Sequence, residues 1–410
     1  MFRLGVTIVL LLFQVLVYWR LAIWLKGSFP NHRKVLWILR ILSSVFTGAA
    51  IYVLTFRPDA SSIPVWTQFF TMYPFFIWHG ATIFLGIIFL VSLIVRLPFQ
   101  AVFSLARWIP STKKKIVAVQ TTPQFKEFDA SRRSFIRRGM YGLTAASFGG
   151  SAYGFLVEKS NHEFTKAHFP ISNLSPALEG FTITLISDIH SSPFMLKAEM
   201  KEYVRLVNKI SSDMIVVDGD FVNSNLDEVY PFAEAFSDLT APLGVYGVMG
   251  NHDFYNANPE LVAREVDECG IKLLRNDKTT IEKGDGKFYL VGVDDVGRAR
   301  SVPVKLDEAM GVAPLNIPKI LLCHRPYYLE QAADKDIDLV LSGHTHGGQV
   351  VLGRFGDVVV APASLASRYV WGKYHFGKTH MYVSRGIGTV GLPIRLNCPP
   401  EITQITLTRA

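Results

Sequence analysis

Residues 337 to 349, Ile337-Asp338-Leu339-Val340-Leu341-Ser342-Gly343-His344-Thr345-His346-Gly347-Gly348-Gln349, decide how the rest of the chain is read. A mostly apolar run ends in two imidazoles one residue apart and leaves through two glycines, the pattern of a strand feeding a tight, ligand-presenting loop. Neutral imidazole is the commonest metal ligand among side chains, and the glycines let the backbone turn so that both rings face one small volume. A His-x-His pair alone assigns no function. Its meaning rests on what other segments bring to it.

The same pattern recurs upstream. Phe181 to Ile186 ends in Ser187-Asp188-Ile189-His190, Met214 to Val217 in Asp218-Gly219-Asp220, and Val245 to Met249 in Gly250-Asn251-His252-Asp253. Phe288 to Val293 ends in Asp294-Asp295, and Lys319 to Cys323 in His324-Arg325-Pro326. Helix-compatible stretches at 198–210, 226–239 and 259–269 separate several of these runs, with Pro231 a candidate break in the second. Strands alternating with helices predict an α/β domain, in which ligands gather beyond the carboxyl ends of the strands. Residues 162–178 read as a lead-in, with turn signals at Pro170, Ser175 and Pro176.

Asp188, His190, Asp220, Asn251, His324, His344 and His346 supply seven oxygen and nitrogen ligands. One ion with about four to six ligands leaves some unused. Two ions sharing a bridging carboxylate use them all, and paired dications ~3.5 to 4 Å apart suit displacement at phosphorus because they stabilise both the attacking and the leaving oxygen. A mixed imidazole and carboxylate set accepts Mn, Fe, Zn or Ni.

Composition adds a membrane. Of 410 residues 49% are hydrophobic, too apolar for one ordinary soluble globule. The net charge of +8 is uneven: residues 1–157 hold 17 of the 42 bases and 3 of the 34 acids, net +14, which leaves the remainder at −6. The polar half therefore offers no basic surface for nucleic acid. Three cysteines without regular spacing make no disulfide framework, and Cys323 reads as a packed core thiol.

Residues 4–25, 35–56 and 73–95 are each long and apolar enough to cross a hydrocarbon core of ~30 Å. Trp66, Phe69, Phe70, Tyr73, Phe75, Phe76 and Trp78 form an aromatic belt at one end of the third. Lys26, Arg33 and Lys34 follow the first span and ten bases lie in 96–138, whereas Arg57 is the only base between the second and third. The alternation predicts the N-terminus outside and a basic cytoplasmic loop at 96–138. That loop ends in Ser131-Arg132-Arg133-Ser134-Phe135-Ile136-Arg137-Arg138, which resembles a twin-arginine export signal and implies the twin-arginine translocase as a partner. It precedes a weakly apolar fourth helix at 139–157. The expected organisation is a multi-pass membrane region at 1–157, all α, and an extracytoplasmic domain at 158–410.

Asp-x-His, Gly-Asp, Gly-Asn-His-Asp, a lone His and Gly-His-Thr-His, in this order, resemble the calcineurin-like metallophosphoesterase family from about Pro176 to the end of the chain. The tail segments Tyr382-Val383-Ser384-Arg385-Gly386-Ile387-Gly388 and Pro399-Pro400-Glu401-Ile402 resemble its membrane-associated bacterial branch. The resemblance implies a two-sheet α/β sandwich with a dinuclear centre between the sheets. It implies Asp188, His190 and His346 on one ion, Asn251, His324 and His344 on the other, and Asp220 bridging. It makes His252 a proton donor to the leaving oxygen or a transition-state contact, with Asp253 placed to orient its ring. Asp218, Asn223, Asp294 and Asp295 are candidates for holding this set in place; Arg325 and Arg368 are weaker candidates for contacting phosphate. The expected activity is hydrolysis of a phosphodiester or pyrophosphate, a lipid or envelope precursor among the candidates. A broad-specificity phosphatase, a nucleotide phosphodiesterase and an inactive membrane sensor are the alternatives.

Overall fold

The computed structural model describes residues 2–29, 31–56, 65–255, 258–295, 302–311, 313–314, 316–356 and 358–410. The expectation for Arg57, and that for the Trp66 side chain, lie outside the described residues. The chain divides into two compact units, Met1–Tyr153 and Gly154–Ala410.

The first unit is helical: α1 (Phe2–Ser28), α2 (His32–Phe56), α3 (Val65–Ala106), α4 (Pro110–Thr121) and the greater part of α5 (Pro123–Leu156). Three of these helices, α1, α2 and α3, are long and apolar enough to cross a membrane. The stretch 96–138 is not an open loop, because α3 continues to Ala106 and α4 and α5 take up most of the remainder. Five glycines and several small polar residues keep Gly139–Leu156 less apolar than the three spans. It nevertheless packs among them: Met140, Leu143 and Phe148 rest against Val17, Leu21, Leu85 and Phe89.

The second unit is built from β1 (Glu163–Ile171), β2 (Thr182–Ser187), α6 (Lys197–Ile210), β3 (Met214–Asp218), α7 (Val229–Phe236), β4 (Val245–Val248), α8 (Asn251–Phe254), α9 (Pro259–Glu268) and β5 (Lys272–Leu273). It continues with β6 (Asp277–Lys283), β7 (Gly286–Val293), α10 (Val302–Met310), β8 (Lys319–Cys323), α11 (Leu329–Ala333) and β9 (Leu339–Ser342). The last strands are β10 (Gly353–Phe355), β11 (Val358–Val360), β12 (Gly372–Phe376), β13 (Thr379–Val383) and β14 (Glu401–Arg409). One six-stranded sheet runs β1-β14-β2-β3-β4-β5 and a second β12-β13-β9-β8-β7-β6.

Period-2 alternation stacks the two sheets. Ile183, Leu185, Met214 and Val216 of the first sheet share a core with Leu290, Ile320, Leu322, Leu339 and Leu341 of the second. The intervening residues turn outward onto helices. Ile215 and Val217 meet Met200, Tyr203, Val204 and Val207, the i, i+3, i+4, i+7 face of α6. Leu321, Cys323 and Val340 meet Leu306, Leu329 and Ala332 of α10 and α11. The result is the two-sheet α/β sandwich, with strands buried on both faces and therefore almost continuously apolar.

The lead-in at 162–178 is corrected by the structure. Nine of its residues form β1, parallel to β14 along its whole length. Ala167, Phe169 and Ile171 point inward, while Pro170 is tolerated because β1 is an edge strand.

Candidate metal centre

The ends of β2, β3, β4, β8 and β9 converge on one buried volume. The parallel run β2-β3-β4 carries Asp188, Asp220 and Asn251 just past its carboxyl edge, and β8 and β9 of the facing sheet carry His324, His344 and His346 past theirs. Asp188, His190 and His346 place one ligand atom each within 4.8 Å of one another, and so do Asp220, His324 and His344, and His190, Asp220 and His252.

Five of the seven expected ligands hold a left-handed backbone: φ is 52° at Asp188, 49° at His190, 53° at Asp220, 71° at His344 and 51° at His346. Such a conformation costs a non-glycine residue ~1–2 kcal/mol, so it persists only where surrounding bonds enforce it. Here they do. Asp188 N–H donates to the Gly219 carbonyl and His190 N–H to the Asp220 carbonyl, at 3.1 and 2.9 Å. His344 N–H donates to the Asp188 carboxylate at 3.0 Å, and the Ser187 hydroxyl donates to the same group at 2.7 Å. Gly347, at φ 61°, has Arg385 and Cys398 atoms 2.5 and 2.8 Å from where a Cβ would stand, so the loop leaving His346 requires glycine for space as well as conformation.

The side chains present lone pairs to one another. His324 Nδ1–H donates to the Asp218 carbonyl at 2.7 Å, which turns Nε2 toward Asp220 Oδ2, 3.1 Å away. Two lone pairs at that distance require a proton or a cation between them. His190 Nε2 faces His346 Nε2 at 3.1 Å, with Asp188 Oδ1 3.3 Å from the latter and Asp220 Oδ2 3.5 Å from the former. Asn251 Oδ1 is buried with no hydrogen-bond donor. Burial lowers His190 and His344 to about 3 and holds His346 well below the usual imidazole value, so these imidazoles are neutral, the ligating form. Burial pushes Asp218 up to about 8 and Asp188 to about 6. At His324 burial lowers the pKa, but Asp220, Asp188 and Asp218 outweigh it and raise it well above the usual range. The donor set thus fits divalent metal.

The remaining expected residues fall out differently. His252 is half-buried and its Nδ1–H donates to the Asn223 carbonyl, while its ring centroid lies 4.7 Å from that of His190. Asp253 is engaged by the backbone. Its carboxylate accepts the backbone N–H groups of Asp220, Val222 and Gly250 at 2.9, 3.2 and 2.8 Å, because it sits at the third position of α8, where it ties the β3 and β4 ends together. The contact that holds His252 Nδ1 is a backbone carbonyl, which no residue type announces. Asp294 pairs with Arg275 at 3.0 Å and Asp295 with Arg325 at 2.6 Å. Arg368 is exposed, 3.8 Å from Glu330. Cys323 is a buried core thiol. Sequence reading gave no structural role to Ser187 or to the tail behind Asp188: a Cβ on Gly388 would stand 2.2 Å from the Ile189 carbonyl oxygen, and buried Arg395 donates to the Arg385, Gly386, Gly388 and Cys398 carbonyls to hold that tail.

Residues 181–348 match the family described as calcineurin-like phosphoesterase. A transmembrane protein with metallophosphoesterase domain from Danio rerio is 31% identical over 270 residues, 63% of this chain and 60% of that protein. The metallophosphoesterase YkuE of Bacillus subtilis is 31% identical over 286 residues, 68% of this chain and 97% of its own length. The phosphodiesterase YaeI of Escherichia coli is 31% identical over 285 residues, 68% of this chain and 99% of its own. The chain therefore spans under two thirds of the zebrafish relative but nearly all of both bacterial ones. Matched along almost the entire length of two relatives, with ligand-capable strand ends gathered around one buried volume, this chain belongs to the calcineurin-like metallophosphoesterase family, whose members are metal-dependent hydrolases.

Proposed function

We propose that the chain is a membrane-anchored phosphoesterase that holds two divalent ions and hydrolyses a phosphodiester or pyrophosphate. The observation that carries this reading is Asp220 Oδ2, which stands 3.1 Å from His324 Nε2 and 3.5 Å from His190 Nε2, one carboxylate oxygen within reach of two histidine sets. On this reading Asp188, His190 and His346 hold one ion, Asn251, His324 and His344 the other, and Asp220 both. Bound there, the ions supply charge to stabilise the phosphoryl oxygens and acidity to generate a nucleophile from water.

The chain's own residues do the rest. The Asn223 carbonyl fixes the His252 tautomer with the proton on Nδ1, so on this reading Nε2 is the nitrogen that meets substrate. Protonated at Nε2, His252 donates to the leaving oxygen as the ester bond breaks. Asp253 keeps the loops carrying Asp220 and His252 in fixed relation by accepting an amide from each side. Arg325, held by Asp295, stays beside Tyr255, the residue three beyond His252.

The covalent link to three apolar helices confines this site to the neighbourhood of a bilayer, which favours a lipid-linked or envelope-precursor substrate over a soluble nucleotide. Alternating loop charge and the Arg132-Arg133 pair support a multi-pass topology with the phosphoesterase unit outside the cytoplasm, delivered by the twin-arginine translocase. Full-length protein purified in detergent is expected to carry about two divalent ions per chain and to hydrolyse bis-nitrophenyl phosphate with Mn or Zn supplied. Metal-loaded protein inert toward every phosphate ester tested would favour the sensor alternative.

A further inference from the structure

Among the described residues of the Gly154–Ala410 unit, twelve large apolar side chains are exposed, and six of them, Leu352, Phe355, Val358, Val360, Leu365 and Phe376, crowd into one short stretch. The stretch comes directly after the loop of His344 and His346, and a Cβ on Gly348 of that loop would stand 2.4 Å from the Ala361 side chain. β10 and β11 pair antiparallel, Arg354 opposite Val359 and Phe355 opposite Val358. Opposed residues share a face. One face packs inward at Val359, which is buried with Val351, Ala361 and Val370, while exposed Arg354 lays its guanidinium 4.6 Å over the Trp371 ring. The other carries Phe355, 74% exposed, and Val358, 63% exposed. A hairpin with one wet face ordinarily places polar residues there. Here that face is apolar. Leu365, 94% exposed, ends a short 3-10 turn nearby in sequence.

Charge indicates what covers the face. Residues 349–378 contain Arg354, Arg368, Lys373 and Lys378 against the single acid Asp357, in a half of the chain whose balance is otherwise acidic. Apolar side chains interspersed with bases and aromatics suit the interface of an anionic bilayer, where the former enter the acyl boundary and the latter meet headgroups. The chain's own apolar helices keep a bilayer within reach. We infer that the arm from Leu352 to Phe376 seats its outward face in the headgroup region of an anionic lipid bilayer, bringing the adjoining His344–His346 loop to substrate at that surface. The inference rests on the proposed membrane-borne substrate and specifies how that substrate is reached.

Spin labels on the full-length protein in vesicles of phosphatidylcholine and phosphatidylglycerol test it directly. Phe355→Cys and Val358→Cys are compared with Tyr230→Cys, on the exposed side of α7, in a Cys269→Ser background that leaves only the buried Cys323 and Cys398. The arm labels are expected to be shielded from a water-soluble relaxant and open to oxygen, the α7 label fully open to the former. Equal aqueous exposure at 355 and 230 overturns the inference, as does spin–spin broadening between arm labels, which assigns the face to a second copy. In parallel, a Phe355→Ser/Val358→Ser/Leu365→Ser chain is expected to keep its turnover on the soluble diester and to show at least a ~10-fold rise in KM for a diester carried in vesicles. An equal rise for both substrates overturns the docking role. A wild-type chain inactive on every diester would instead sink the proposed function, while the label depths still stand on their own.

Discussion

Asp220 Oδ2 is within reach of both histidine sets, so on the proposed two-ion reading removing its carboxylate takes a ligand from each side at once. Asp220→Ala is expected to lose bound metal and turnover together, read by elemental analysis and diester hydrolysis. His252→Ala is expected to keep its metal and lose turnover by ~10²–10⁴-fold, the usual range for a proton donor; unchanged turnover removes His252 from the mechanism. Asp253 makes a different prediction. Its carboxylate accepts three buried amides, and Asp253→Asn replaces one accepting oxygen by a donor, leaving at least one amide unanswered. The expected loss is about 1–3 kcal/mol, seen as a lower Tm, with kcat largely retained at temperatures where the variant is folded. A kcat loss matching that of His252→Ala at unchanged Tm would assign Asp253 to orienting the His252 ring. The positions of the ligand-capable residues are legible in the sequence because each stands just past an apolar run. The partners that fix them are not, since the Asn223, Asp218 and Gly219 carbonyls act through the backbone and carry no signature in residue type.

At the scale of elements, the sequence displays strands wherever both faces are buried, because Met214 to Val217 or Lys319 to Cys323 is then a near-continuous apolar run. It conceals those whose pattern is interrupted. β1 alternates around Pro170, and its partner β14 is more than two hundred residues away, so only the assembled sheet identifies it. The tail between β13 and β14 is concealed for a similar reason. Gly388 looks like a turn former in the sequence, yet its role is contact: the Ile189 and Asp188 carbonyl oxygens would lie 2.2 and 2.6 Å from an added Cβ. Backbone cannot yield as a flexible side chain does, so Gly388→Ala must push the tail away from the Asp188 loop. The expected cost is about 1–3 kcal/mol, with a lower Tm and reduced metal content. A fully metallated, equally stable variant would show that the tail does not brace the site.

For the whole molecule, on the proposed multi-pass topology, the side of the membrane on which the chemistry happens depends on the second half of α5. α1, α2 and α3 are apolar enough to cross unaided, and three crossings from an outside N-terminus would leave the phosphoesterase unit in the cytoplasm with the basic stretch 96–138. A fourth crossing moves it outside. Composition alone disfavours that crossing, since Gly139–Leu156 is rich in glycine and serine, but small residues are what closely packed membrane helices place at their contacts. Within the helical unit the segment behaves that way. Tyr141 packs against Trp24 near the C-terminal end of α1, with ring centroids 4.7 Å apart, and the Ser151 hydroxyl donates to the Ile77 carbonyl of α3 at 2.9 Å, near the opposite end of the bundle. Its eighteen residues also contain no charge and extend ~27 Å as a helix, close to the thickness of a hydrocarbon core. A reporter active only outside the cytoplasm, fused after Ala410, is therefore expected to be active, and Arg132→Lys/Arg133→Lys is expected to abolish that activity if the paired arginines direct export. Activity that survives the double substitution assigns those arginines to anchoring the inner end of α5. A silent external reporter together with an active cytoplasmic one overturns the fourth crossing and places the metal centre, with any lipid substrate it takes, on the inner leaflet.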